Sequence, residues 1–528
     1  MTSAGASTER AQPAARSRRG LRQRLASRPD VLDLGLAAVV GLMVLLVHDV
    51  PYLLSHSFWV DEAWVADTVR ARPGLTWSLA SSTPLGWTYL LRLVPFGGPQ
   101  RLRLVPLAFT MLAAATGYLF GRELRLTRYA TGILTGAAVL LSPAMLVRDD
   151  LKQYTAEAFA CLVLWVLVAR IENEWRRARL AAIAAVASFG LLLSNTVIFV
   201  GVAAMACLAL ECLVRRHYQR LVEVAVASAG MLFVSFVIYE ALIKPQVTPR
   251  LVAYWAGFYM PTASSSAAIS FLHLQLSRLA PYLGFRFLAV DVVGVLAGIA
   301  ALLWLRRYAL AALFPVTLVI VIAASAARKY PFGDLRTSTF WLVTAPLLMA
   351  VAVAAAGKLA TAIDRRAPLV VTAVALAVWV PATNPYIRSH LIPNEDVRSE
   401  VAYLDAHFRR GDVVIVGYAA SYAFAYYYPA TPSFPVDRVG PNGHIPAYPG
   451  VPSIIVMRNR RAVDVAAALA EARAKIAAEG GGTRGRIWIV RSHQTRTEIR
   501  AWRRDLAGDR VTTIHVGPDP ILLYVPSG

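Results

Sequence analysis

The run from Val31 to Tyr52, VLDLGLAAVVGLMVLLVHDVPY, is followed a few residues on by Phe58-Trp59-Val60-Asp61-Glu62-Ala63-Trp64. The first stretch is apolar for about the 20 residues that a helix needs to cross a bilayer. The second sets two adjacent carboxylates at the mouth of that helix, where charge close to hydrocarbon is costly and points to a function. The plain alternative is that Asp61 and Glu62 only mark the water-facing end of the span. The rest of the chain decides between the two.

Composition places the chain in the membrane. Of 528 residues, 57% are hydrophobic and 16% charged. Lys and Arg number 54 against 32 Asp and Glu, for a net charge of +22. The basic residues come in short clusters between apolar runs, the arrangement of the positive-inside rule, so the charge reads as topology and not as a nucleic-acid surface. Cys161, Cys207 and Cys212 all fall in apolar segments, without disulfide or metal spacing.

Residues 1–30 form a basic tail, expected in the cytoplasm and not expected to be a cleaved leader. Spans are predicted near 31–52, 102–120, 127–146, 155–171, 178–193, 195–213, 221–243, 286–305, 308–326, 337–356 and 367–383, about eleven in all. The Arg clusters at 122–128, 176–179, 215–220, 306–307 and 358–366 then share the side of the N-terminus. An odd count of spans places the C-terminus outside.

After residue 383 the texture changes. Helices at 399–408, 462–478 and 494–507 alternate with strands at 412–416, 453–457, 486–490, 511–516 and 521–525, which predicts a small α/β domain over 384–528. Gly480-Gly481-Gly482 lacks the preceding strand and the Lys-Ser/Thr of a phosphate loop.

The polar residues expected outside converge. The first loop carries Asp61 and Glu62 and has room for one or two helices on the membrane surface. The second, Arg148-Asp149-Asp150-Leu151-Lys152-Gln153-Tyr154, is more charged than a turn between two spans requires. Tyr254-Trp255 and Phe258-Tyr259 read as an aromatic interface belt. The loop Arg328-Lys329-Tyr330-Pro331-Phe332-Gly333-Asp334-Leu335-Arg336 opposes the positive-inside bias, which calls for an anionic partner such as a lipid phosphate. A carboxylate can take a proton from an attacking hydroxyl, and cations can stabilise a departing phosphate.

Those motifs resemble the membrane glycosyltransferases of the GT-C fold, in the group holding the protein O-mannosyltransferases and the lipid A aminoarabinose transferases. The resemblance covers residues 31–356. It rests on Trp59 to Trp64, Thr83-Pro84-Leu85-Gly86-Trp87-Thr88-Tyr89, Gln100 to Pro106, Ser142-Pro143, Lys152-Gln153-Tyr154 and Lys329 to Gly333. It implies a polytopic α-helical membrane protein of the plasma membrane, with a catalytic domain over 31–383 and a C-terminal domain outside the cytoplasm. The reaction implied is inverting transfer of a sugar from a polyprenyl phosphate to an acceptor hydroxyl on an envelope glycan, lipid or protein. By that resemblance Asp61 is the general base, Glu62 positions the acceptor, and Asp149 or Asp150 is the second-loop acid. Lys152, Tyr154, Arg328, Lys329, Tyr330 and Arg336 would bind substrate. Lys152 stands where many members carry Arg, which loses bidentate geometry toward phosphate. No cofactor is expected, and a divalent metal is left open. The C-terminal domain is expected to help bind the acceptor. The competing reading is a transporter or flippase for a lipid-linked precursor; such a protein usually sets its charges near mid-span and shows paired repeats.

Overall fold

The computed structural model describes residues 30–71, 83–94, 98–127, 129–148, 150–390, 395–435, 437–440, 443–478, 485–518 and 520–525. The basic tail to residue 29, Asp149 and the Gly480 to Gly482 run lie outside the described residues. Every predicted apolar segment contains helix. Seven helices among the described residues are long and apolar enough to cross a membrane, and Val31–Val47, Ala130–Leu140 and Leu288–Trp304 are shorter apolar helices. The protein is a multi-pass membrane protein, and length and composition alone do not bring its spans to eleven.

Burial sorts the helices. Leu335–Ala360 is 83% buried over its apolar window, whereas Tyr218–Gln246 and Ala367–Tyr386 are each 17% buried. Their outward apolar side chains, such as Val226, Phe233 and Val374, suit contact with lipid. Glycine permits the closest crossings: a Cβ on Gly298 would stand 2.2 Å from the Leu348 carbonyl, and one on Gly121 2.2 Å from Thr135 Oγ1. Asp30 caps the first helix by accepting from the Asp33 N–H at 2.8 Å. Buried Asp33 is bonded by Arg122 and by the Tyr118 hydroxyl, so no lone charge is left in that span.

The C-terminal domain holds a five-stranded sheet in the order β4-β1-β5-β7-β6. Its strands are β1 (Val413–Val416), β4 (Ile454–Val456), β5 (Ile487–Val490), β6 (Arg510–Ile514) and β7 (Ile521–Val525). A separate two-stranded ribbon pairs β2 (Val439–Gly440) with β3 (Gly443–His444). The apolar strands β1, β4 and β5 are parallel, and β5–β7 and β7–β6 are antiparallel. All of the predicted strands and helices form within a few residues of their expected bounds; the ribbon and the helix Ser421–Tyr427 were not predicted.

The domain does not close its core alone. One continuous apolar cluster joins Val401, Val414, Tyr422 and Trp488 to Phe58, Ala63, Trp64 and Trp87 of the first loop. Trp64 stacks on Tyr422 at 5.6 Å. The first-loop helix Val60–Arg70 is therefore buried against the α/β domain.

Candidate active site

Consecutive residues of an α-helix point about 100° apart, and this sends the two neighbouring acids into different surroundings. Glu62 turns into the protein and is fully buried. Arg103 grips it with Nε–Oε1 at 2.8 Å and Nη2–Oε2 at 2.5 Å, and the Leu151 N–H donates to Oε1 at 3.0 Å. The same guanidinium donates to the carbonyls of Leu53, His56 and Ser57 at 2.7, 2.9 and 3.0 Å. Glu62 thus ties the first loop, the end of the first span and the second loop together. Burial pushes its carboxyl above the ordinary range while Arg103 works against that.

Asp61 faces the other way, into a cavity of about 1030 Å³. Its Oδ2 stands 3.2 Å from Arg336 Nη1 and 3.5 Å from Lys152 Nζ. Arg336 also bonds Asp334 Oδ1 at 3.0 Å, donates to the Tyr254 hydroxyl at 3.2 Å and lies 5.4 Å over the Trp255 ring. Lys152 Nζ lies 5.6 Å over Trp64. Tyr254 and Trp255, read from the sequence as an interface belt, thus also brace the cation beside Asp61.

The helix carrying Asp61 starts on a cap supplied from far along the chain. The Val60 N–H donates to Oε2 of buried Glu395 at 3.2 Å, and His493 Nδ1 stands 3.0 Å from the other oxygen. The Phe58 N–H donates to the Tyr427 hydroxyl at 2.8 Å, and Arg70 donates to the Tyr426 carbonyl at 2.5 Å. A first-turn N–H has no partner within its own helix, so these contacts fix where the turn bearing Asp61 begins.

Of the residues singled out in the sequence, Asp61, Lys152, Tyr154, Arg328, Lys329, Tyr330 and Arg336 all line this one cavity. Glu62 and Asp150 do not. Asp150 is buried 3.6 Å from Arg148, and the second loop that carries both is a buried strut and not a solvated turn. Asp149 lies outside the described residues. Sequence reasoning missed Arg103, Glu157 and the β2–β3 ribbon; the ribbon contributes Val439, Gly440 and His444 to the cavity wall. Away from the charged end the wall is apolar, with Leu232, Phe236 and Ile243 on the otherwise exposed helix Tyr218–Gln246 and Val247 and Leu251 just beyond it. Among the described residues no group of three or more His, Cys, Asp or Glu side chains gathers to hold a metal ion.

Bundle, buried first-loop helix and small α/β domain together define a polytopic membrane protein with a GT-C-like fold. Among solved structures the chain is similar to ArnT from Cupriavidus metallidurans bound to undecaprenyl phosphate. The TM-score is 0.50 at 12% sequence identity, over 94% of this chain and 97% of that one. At that identity the likeness establishes the fold. No protein-family profile matches the sequence, and no curated protein matches it.

Proposed function

We propose that the protein is an inverting glycosyltransferase that moves a sugar from a polyprenyl phosphate to an acceptor hydroxyl on the extracytoplasmic side of the plasma membrane. The observation that carries this reading is the cavity itself: Asp61 held between Lys152 and Arg336 at a charged end, continuous with an apolar wall on a largely exposed apolar helix. A phosphate at the charged end would draw Lys152 and Arg336 toward itself and release the Asp61 oxygen to the acceptor. The acceptor oxygen then forms a bond to the anomeric carbon while the bond from that carbon to the phosphate oxygen breaks. The hydroxyl proton passes to Asp61, and the electron pair leaves on polyprenyl phosphate, whose charge the two cations balance. The prenyl chain would follow the apolar wall past Leu232 and Phe236.

Positions support this over transport. Lys152 and Arg336 stand at the starts of the helices Tyr154–Asn173 and Leu335–Leu342, not at mid-span, where a transporter usually sets its charges. The basic clusters gather at the opposite helix ends: Arg215 donates to the Arg306 carbonyl, and Arg170 pairs with Glu123. By the positive-inside rule that end faces the cytoplasm and Asp61 faces out. The test is a comparison of envelope glycans, glycolipids and glycoproteins between a deletion strain and its parent. Loss of one sugar from one class, with its polyprenyl-phosphate form accumulating, is expected. Loss of that sugar with its lipid-linked precursor confined to the cytoplasmic leaflet would favour the transporter.

A further inference from the structure

Among the described residues, two acceptor atoms in the cavity wall have no donor. Glu157 stands in the first turn of the helix Tyr154–Asn173, and Gln153 is its N-cap residue, four positions earlier on the same face. They are 1% and 3% exposed, and both line the cavity. Oε2 of Glu157 and Oε1 of Gln153 are buried and accept no hydrogen bond among the described residues. The Gln153 side chain, the Asn195 N–H and the Thr196 hydroxyl all lie near the carboxyl, yet none is in hydrogen-bond geometry with Oε2. A buried acceptor left without a donor is destabilising, the more so for a carboxylate. Two such atoms together in the wall of one open cavity suit a ligand that brings two donors.

Charge selects the kind of donor. The lining carries Lys152, Arg328, Lys329 and Arg336 against Asp61 and Glu157, an excess of cations that one phosphodiester does not exhaust. An ammonium group on the sugar would add to that excess. A carboxylate on the sugar would set its own acceptor oxygens against the acceptor oxygens of Glu157 and Gln153. Hydroxyl groups donate without adding charge. Building on the polyprenyl-phosphate reading above, we infer that Glu157 and Gln153 hold the sugar ring of the donor through two of its hydroxyls, and that the sugar is a neutral hexose.

Binding to the purified full-length protein tests this, with polyprenyl phosphate alone and with polyprenyl phosphate bearing glucose, mannose, galactose, glucosamine or glucuronic acid. At least one neutral hexose lipid should bind about 30-fold tighter than the bare lipid, the yield of two hydrogen bonds of about 1 kcal/mol each. Glu157→Ala and Gln153→Ala should each remove about 3- to 10-fold of that preference and leave the bare lipid unchanged. Glu157→Gln keeps an acceptor oxygen and the side-chain shape, so it should retain most of the preference, and its thermal unfolding confirms an intact fold. Tightest binding of the glucosamine or glucuronic acid lipid overturns the inference. So does a preference for hexose that ignores both alanine variants, or one that is absent. Failure of the wild type to bind bare polyprenyl phosphate would instead remove the donor reading itself, and this inference with it.

Discussion

Glu62→Ala would leave Arg103, 2% exposed, as a buried guanidinium that keeps the carbonyls of Leu53, His56 and Ser57 but loses the Glu62 carboxylate, and would strip the Leu151 N–H of its acceptor. Removing one partner of a buried ion pair costs about 3–5 kcal/mol, and an orphaned buried N–H about 1–3 kcal/mol. Burial already opposes the charged form of Glu62, which offsets part of the pair, so a total of about 3–4 kcal/mol is the working figure. For a chain of this size each kcal/mol shifts the midpoint by about 1–2 °C, which gives a fall of roughly 3–8 °C. Thermal unfolding of the purified protein, followed by tryptophan fluorescence, reads this directly. Asp61→Asn is the matched control. Its carboxylate contacts Lys152 and Arg336 at 3.5 and 3.2 Å at the edge of an open cavity, so its midpoint should stay within about 2 °C of wild type. A Glu62→Ala protein as stable as wild type, or an Asp61→Asn protein equally destabilised, would refute the division of labour between the two acids.

Asp67 sits in the same first-loop helix, and burial, with Arg70 opposing it, holds its carboxyl well above the usual range. Its stabilising share is complete below the unfolded carboxylate value of about 3.9 and is lost as pH rises through the raised folded value. Asp67→Asn should therefore shrink the fall in unfolding midpoint between pH 5 and pH 8; an unchanged fall contradicts the assignment. His493 has its pKa raised, chiefly by its hydrogen bond to Glu395, so its contribution is present below about pH 6.5 and disappears as pH climbs through the folded value. His493→Gln should reduce the loss of midpoint between pH 6 and pH 9, and a variant that tracks wild type would show that the pair does no such bracing. Arg336→Ala and Lys329→Ala should each raise the donor KM or lower kcat by about tenfold or more, and unchanged donor titrations in both would remove that loop from the site.

The apolar segments, the α/β alternation and most of the cavity's charged residues were legible because each rests on a local pattern. Hydrophobic length gave the apolar helices, and cations against the expected topology bias gave Arg328, Lys329 and Arg336. Adjacent residues on one helix were harder. The sequence places Asp61 beside Glu62 but does not say which faces the cavity, because that depends on where the helix starts. The start is set by Glu395, some 330 residues away. Arg103 lies at the end of a span and carries no local mark of its bond to Glu62. Glu157 looks like an ordinary acid near a helix start until the Asn195 turn is folded beside it. The shared core between Trp64 and Tyr422 likewise needs the whole fold, so the α/β domain read as separate from the loop it buries.

The most direct measurement is the rate of sugar transfer from a polyprenyl-phosphate donor by purified wild-type and Asp61→Asn proteins, each checked for an intact fold. Loss of the general base predicts a rate lower by about 10²–10⁴-fold with donor binding retained. Transfer at a near-normal rate by Asp61→Asn would contradict the account at its centre.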